Sequence, residues 1–410
     1  MIDRVEKKDC AGCGACAAVC PKDAICLRED GDGFRYPEVD AELCVQCGRC
    51  EKACPALTPV ERHAPQAVYA ACAKEDRIRM QAASGGAFTA LAESFLRQGG
   101  AVYGCAMASG KEIREECLSG DGEPLLCHIR AADLRELQAL SGSRYAQSRT
   151  EKAYRQIRQD LAEGRRVLYG GTPCQVAGLR AFLAEAHADT GNLFTADILC
   201  HGVPSERLLR QYLTYLEKKY RGRVTGYQFR DKERGFTYYP KFRLKKGGTE
   251  KWHRLATMEE GYWYLFQNAM ANRENCYSCP YAASARCGDV SLGDYWGIEQ
   301  AHPELLTAGG GPLPREKGIS LLLVNTGQGQ ALLESCGELL DRRESTLEKA
   351  MVRGDALKFP TPEPEGRTEL LEILRRRGYA GAAEFVKKTM GSGYARSVLK
   401  EKIKQALKRN

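Results

Sequence analysis

The sequence lacks the run of roughly 18 apolar residues that a membrane span needs, and its first residues, MIDRVEKKDC, contain no apolar segment of a secretory signal. A reduced, cytoplasmic setting is the expectation. Neither G-x-G-x-x-G nor G-x-x-x-x-G-K-[ST] occurs, which argues against a Rossmann dinucleotide site and a phosphate-loop nucleotidase. Acidic residues are scarce at one end only. From Leu374 to Asn410 there are eleven Lys or Arg against two Asp or Glu, so the formal net charge of +8 is local and the preceding chain sums to about −1. Beyond Tyr394 no aromatic residue is interleaved with that charge, which disfavours nucleic acid as a partner.

What is present in excess is cysteine. Nineteen in 410 residues is too sparse for a secreted disulfide framework, and the odd count would leave one thiol over. Metal ligation is the better reading. Cys10-x2-Cys13-x2-Cys16-x3-Cys20-Pro21 is repeated as Cys44-x2-Cys47-x2-Cys50-x3-Cys54-Pro55, the spacing of bacterial two-cluster ferredoxins. Three thiolates on a tight loop reach three corners of a cubane, and the fourth, carried off on a short helix, reaches the other cluster. Cys10, Cys13, Cys16 and Cys54 are thus assigned to one [4Fe–4S] cluster, and Cys44, Cys47, Cys50 and Cys20 to a second. A pair of zinc sites would leave the third cysteine of each run and the trailing proline unexplained.

Length favours two or three domains. Residues 1–57 form the ferredoxin unit, and Thr58 to Gln66 reads as a linker. From residue 67 short apolar runs alternate with amphipathic stretches, an α/β pattern that spans 67–340 in two parts, 67–160 and 165–340. Three strand-to-helix turns stand out: Ser84-Gly85-Gly86, Thr172-Pro173 after RVLYGG, and Cys200-His201-Gly202 after LFTADIL, with Ser205 capping the next helix. A hairpin turning at Gly247-Gly248 makes the region after Val224 look α+β. Residues 341–410 read as a helical basic tail. Leu399, Ile403 and Leu407 recur every fourth residue among lysines; such a helix lies on anionic lipid, docks an acidic partner, or packs on its own domain.

Four further cysteines stand where a fold could gather them: Cys174 just inside a helix start, Cys200 at a strand end, and the Cys276-x2-Cys279 pair. The alternative is that Cys174 and Cys200 are small buried residues, and Cys287 is a rival fourth ligand. His201 reads as an ordered loop histidine, and Tyr262, Trp263, Tyr264 and Phe266 as core aromatics or the lining of a cleft. Asp289 and Asp294 are candidate hydrogen-bonding residues of a turn.

From Cys10 to about Leu333 the chain resembles the β subunits of coenzyme F420-reducing hydrogenases and dehydrogenases, in their bacterial form with an N-terminal two-cluster ferredoxin domain. The resemblance rests on SGGAFTAL, SGSRYAQS, YGGTPCQVAGLR, ILCHGVPS, FRDKERGF, NCYSCPYA, GDVSLGDYWG and KGISLLLVN in this order. It implies FAD and a third [4Fe–4S] cluster, with ligands matching Cys174, Cys200, Cys276 and Cys279, and it demotes Cys287 to a nearby thiol. It places the flavin at Ser84, Gly85, Gly86 and Thr89 and at Gly142, Ser143, Arg144 and Tyr145. A helix start with glycines suits a pyrophosphate, although the Gly-Gly pair also fits a tight packing turn. The resemblance further implies an oxidoreductase that takes electrons from a ferredoxin or other redox protein and passes them to a small molecule. That molecule is coenzyme F420 or an unidentified organic substrate, possible polysaccharide metabolism among its settings. The rival reading is a non-catalytic electron-transfer subunit of a larger redox complex.

Overall fold

The computed structural model describes residues 2–107, 125–233, 235–236 and 239–407. The ferredoxin unit carries a two-stranded hairpin, β1 (Ile25–Glu29) and β2 (Arg35–Val39). Next come β3 (Ala67–Ala73), β4 (Ala101–Met107), β5 (Leu126–Ala131), β6 (Val167–Gly171) and β7 (Leu193–Ile198). A three-stranded antiparallel sheet of β8 (Arg223–Asp231), β9 (Tyr239–Lys246) and β10 (Thr249–Arg254) includes the expected turn at Gly247-Gly248. The last strands are β11 (Val290–Asp294), β12 (Ser320–Val324) and β13 (Leu340–Ser345).

Eight of these form one mixed sheet in the order β13-β3-β12-β11-β7-β6-β4-β5, with β4, β6, β7 and β11 parallel to one another. Strands such as SLLLV of β12, buried at every position, are what a sheet covered on both faces requires. On one face Leu91 and Phe95 of the helix Ala87–Arg97 pack with Leu332 and Leu333. On the other, the helices Glu151–Ala162 and Pro173–Glu185 contribute Tyr154, Ile157, Val176 and Phe182.

That second core continues into the ferredoxin unit, whose Ala15, Ala18, Val19 and Ala53 belong to it. Polar contacts seal the same seam. Arg155 donates from Nη2 to the carbonyl of Ala17 (2.8 Å) and from Nε to that of Ala18 (3.1 Å), and Thr150 Oγ1 donates to the Cys13 carbonyl (2.7 Å). The segment 58–66 is not a free linker. His63 and Arg286 exchange both backbone hydrogen bonds, and Gln66 N–H donates to the Val324 carbonyl.

The tail also departs from its sequence pattern. Residues 340–345 are not helical; they pair with β3 as the polar edge strand of the large sheet. The helix Arg367–Met390, kinked at Gly378, buries Leu370, Tyr379, Ala382 and Phe385 against the helix Glu206–Tyr220 and its neighbours. In the last helix, Ser392–Leu407, Leu399 and Ile403 are exposed, while Glu401 accepts from Thr257 N–H and Lys402 pairs with Glu259. Among the described residues no helix is long and apolar enough to cross a membrane.

Candidate functional site

The carboxyl ends of the parallel strands, where open α/β sheets bind ligands, carry the predicted site segments. β6 runs into Thr172, which caps the helix Pro173–Glu185 while its N–H donates to Gln175 Oε1 (3.1 Å). This places Cys174 in the first turn. β7 ends two residues before Cys200. Cys276 and Cys279 come from a short turn ahead of β11. These three segments bring Cys174, Cys200, Cys276 and Cys279 to the wall of one cavity, with Arg273, His201 and Ala11 of the ferredoxin unit beside them.

The four thiols sense one another. Burial is the main cause that pushes Cys174 up to about 11 and Cys276 up to about 12, with Cys279 adding to both. Cys200 is raised well above its usual value by burial and then by Cys276, Cys174 and Cys279. Bare thiols in this setting stay protonated, so a metal held here must displace protons. Among the described residues no three His, Cys, Asp or Glu side chains are gathered tightly enough for a single metal ion. The four cysteines line one cavity, and an all-thiolate donor set of four fits an iron–sulfur cluster. Cys287 stands apart: fully buried, its thiol donates to the Pro173 carbonyl (3.1 Å) and does not line the cavity.

In the ferredoxin unit Cys16 is raised well above its usual value by burial and then by Cys13, Cys10 and Cys54, so those four lie together. Cys20, Cys50 and Cys54 flank one small apolar core with Ile25 and Leu27, whereas Cys47 is exposed, as are Leu43 and Val45, and Cys44 is half-buried. The inner set abuts the cavity just described. A Cβ on Gly178, four residues after Cys174, would sit 2.8 Å from Cys13 Sγ, so only glycine lets the helix Pro173–Glu185 come this close.

The segments that the resemblance ties to flavin meet at the same sheet edge. Ser84 Oγ donates to the carbonyls of Gly293 and Ile319 (both 3.1 Å). A Cβ on Gly85 would lie 2.6 Å from the Ala71 carbonyl oxygen, so packing alone requires this glycine. Thr89 is buried one turn on. A Cβ on Gly142 would lie 3.8 Å from the Gln81 carbonyl oxygen, which places the loop Gly142-Ser143-Arg144-Tyr145 against the approach to Ser84. Arg144 donates to the carbonyls of Ser143 and Ala139; its Nε is buried without a partner, and no carboxylate pairs with it among the described residues. An unneutralised guanidinium beside a glycine loop fits a pyrophosphate.

Sequence reasoning did not single out the charges of FRDKERGF. Arg230 pairs with Asp294 (2.8 Å), and the Lys232 ammonium is buried and donates to the carbonyls of Arg79 and Ser84. Burial and the neighbouring Arg230 pull Lys232 down to about 7. Their signal was the motif itself, but only burial separates these cations from surface ones. The two regions are joined by rings: His201, next to Cys200, lies 4.6 Å from Phe266, which stacks on Tyr145 at 4.3 Å. Tyr262, Trp263 and Phe266 are core aromatics, with Tyr264 partly buried beside them. Asp289 accepts from Thr195 and Arg180 and is structural.

His128 stacks on Tyr169 behind this edge, with Nε2 3.0 Å from the Gly170 carbonyl oxygen and Nδ1 3.1 Å from Ser148 Oγ. Burial lowers it from 6.5 to about 4. Between those values the unfolded chain takes up a proton that the folded chain refuses. Stability is therefore complete above pH 6.5 and falls as pH drops toward 4, by on the order of 3 kcal/mol in all. Denaturant unfolding of the wild type and His128→Gln at pH 7 and pH 5 checks this: the variant should lose less on acidification.

Residues 164–345 match the family model for the C-terminal region of the coenzyme F420 hydrogenase/dehydrogenase beta subunit, and residues 9–57 match the 4Fe-4S dicluster domain. A chain of the F420-reducing [NiFe] hydrogenase complex from Methanosarcina barkeri is similar over 82% of this chain and 97% of that one, at 16% identity and a TM-score of 0.43. No curated protein matches. The matches make residues 164–345 similar to the C-terminal region of the coenzyme F420 hydrogenase/dehydrogenase beta subunit, with a 4Fe–4S dicluster domain ahead of that region at residues 9–57.

Proposed function

We propose that the chain is an iron–sulfur flavoprotein oxidoreductase with three [4Fe–4S] clusters and FAD. It passes electrons between a ferredoxin-type donor and a small molecule, either coenzyme F420 or another organic substrate. The observation that carries this reading is the gathering of Cys174, Cys200, Cys276 and Cys279 around one cavity whose wall includes Ala11 of the ferredoxin unit. When bound, the clusters pass single electrons and the flavin combines two of them into a two-electron or hydride transfer.

The chain's own residues do the rest. The exposed loop of Cys44 and Cys47 offers the donor a place to approach, with Cys20 and Cys50 completing that outer set. Cys10, Cys13, Cys16 and Cys54 hold the inner position against Gly178, one turn from Cys174. Arg144 and the loop at Gly142 bind the flavin's phosphates. Tyr145 and Phe266 exclude water between the cysteine cavity and Ser84, while Lys232 holds the Ser84 carbonyl and with it the shape of that loop.

The test is anaerobic purification followed by flavin analysis and turnover with reduced ferredoxin and a small acceptor, without partner subunits. One FAD per chain and acceptor reduction are expected. A flavin-free protein that only shuttles electrons would overturn the enzyme reading in favour of an electron-transfer subunit.

A further inference from the structure

Arg273 is among the largest fully buried side chains of the protein, at 1% exposure. It stands three residues before Cys276, whose N–H donates to the Arg273 carbonyl (2.9 Å), so its backbone belongs to the four-cysteine cavity. Its guanidinium reaches out of that loop into the ferredoxin unit. Nε donates to the Cys10 carbonyl (2.7 Å), Nη1 to Gln147 Oε1 (3.2 Å), and Nη2 to the Arg35 carbonyl (2.9 Å) and toward Cys10 Sγ (3.6 Å). Tyr36 lies under it, with the ring centre 4.1 Å away.

Every one of these partners is neutral. Among the described residues no Asp or Glu pairs with Arg273. A buried guanidinium without an anion costs several kcal/mol, and carbonyls and the rings of Tyr36 and Phe34 do not remove that cost. Two sets of cysteine thiols flank it, one on each side, and as cluster ligands they are thiolates carrying net negative charge. On the three-cluster reading given above, we infer that Arg273 is the electrostatic link between the inner ferredoxin cluster and the third cluster. It is a positioning residue whose fixed positive charge raises the reduction potential at both, and it has no such effect at the outer cluster of Cys20, Cys44, Cys47 and Cys50. The physical ground is that a nearby cation and a hydrogen bond to a ligand sulfur favour the more negative, reduced form of a cluster.

The test is redox titration of the anaerobically purified full chain, followed by electron paramagnetic resonance, with iron counted first. Wild type with about twelve irons establishes the reading on which the inference rests; fewer sinks that reading independently of Arg273. Arg273→Gln should keep its iron and shift two of the three signals to lower potential by a factor of ten or more in the electron's partition, about 59 mV for one electron. The third signal should stay in place. Arg273→Lys should return both shifted signals most of the way. If Arg273→Gln loses iron, Gln147→Glu sets a carboxylate beside the same guanidinium, and the same two signals should fall. Unmoved potentials in an iron-replete variant, an equal shift of all three signals, a lysine variant shifted as far as the glutamine one, or iron loss in all three variants would each overturn the inference.

Discussion

Replacing Cys174 by alanine is expected to lower the iron content of the anaerobically purified protein by about a third, from roughly twelve to roughly eight per chain if each cluster is a [4Fe–4S] cubane. The residue lies in the first turn of the helix Pro173–Glu185, on the wall shared with Cys200, Cys276 and Cys279, and its loss leaves only three thiolates to hold a cubane there. The ferredoxin unit has its own eight cysteines and should retain its share. Cys287→Ser is the control. Its thiol donates to the Pro173 carbonyl and does not line the cavity, so its iron count should equal that of the wild type. A full complement in Cys174→Ala would remove that residue from the site, and loss of iron in Cys287→Ser would restore the rival ligand.

The second large effect is on stability. Arg286 and Asp197 are 1% and 0% exposed and meet at 2.7 Å. The guanidinium also donates to the carbonyls of Ile198 and Tyr281 (both 2.9 Å), and Asp197 Oδ2 accepts from Gly288 N–H (2.9 Å). This fork ties the end of β7, which leads to Cys200, to the turn that follows Cys279. Arg286→Met leaves the Asp197 carboxylate buried and unpaired, and such a loss costs about 3–5 kcal/mol. Removing the other charge as well, in the double variant with Asp197→Leu, should recover much of it because an apolar pair of similar volume is often neutral. Denaturant unfolding of the iron-free chains reads both. Equal losses in the single and double variants would mean that the network's hydrogen bonds, not the stranded charge, carry the energy.

The parts legible in the sequence are those whose chemistry is local. The eight ferredoxin cysteines announce themselves because all the ligands of a loop lie within seven residues. The strand-to-helix turns at Thr172 and Ser205 are legible because capping is a matter of a few neighbouring residues. The four cysteines of the cavity come from three separated segments, so spacing could nominate them but not join them. Arg273, Arg286 and Lys232 were invisible for a different reason: in a string of letters a buried cation is indistinguishable from a solvated one. The strand LDRRES was misread because an edge strand has one open side and tolerates charge there, which erases the alternation that marks an inner strand.

The continuous core between Ala15, Ala18, Val19, Ala53 and the helix Pro173–Glu185 has a consequence for modularity. A ferredoxin unit built as a swinging carrier would ride on a loose tether and could be exchanged for another at the cut. Here the strap from Thr58 to Gln66 is pinned at His63, and the interface it closes is apolar. Severing the chain there would expose two wet hydrophobic faces instead of releasing a cassette. On the function proposed above the protein would be wired as one solid conductor, and exchange of its electron source would happen outside, at the exposed Leu43, Val45 and Cys47.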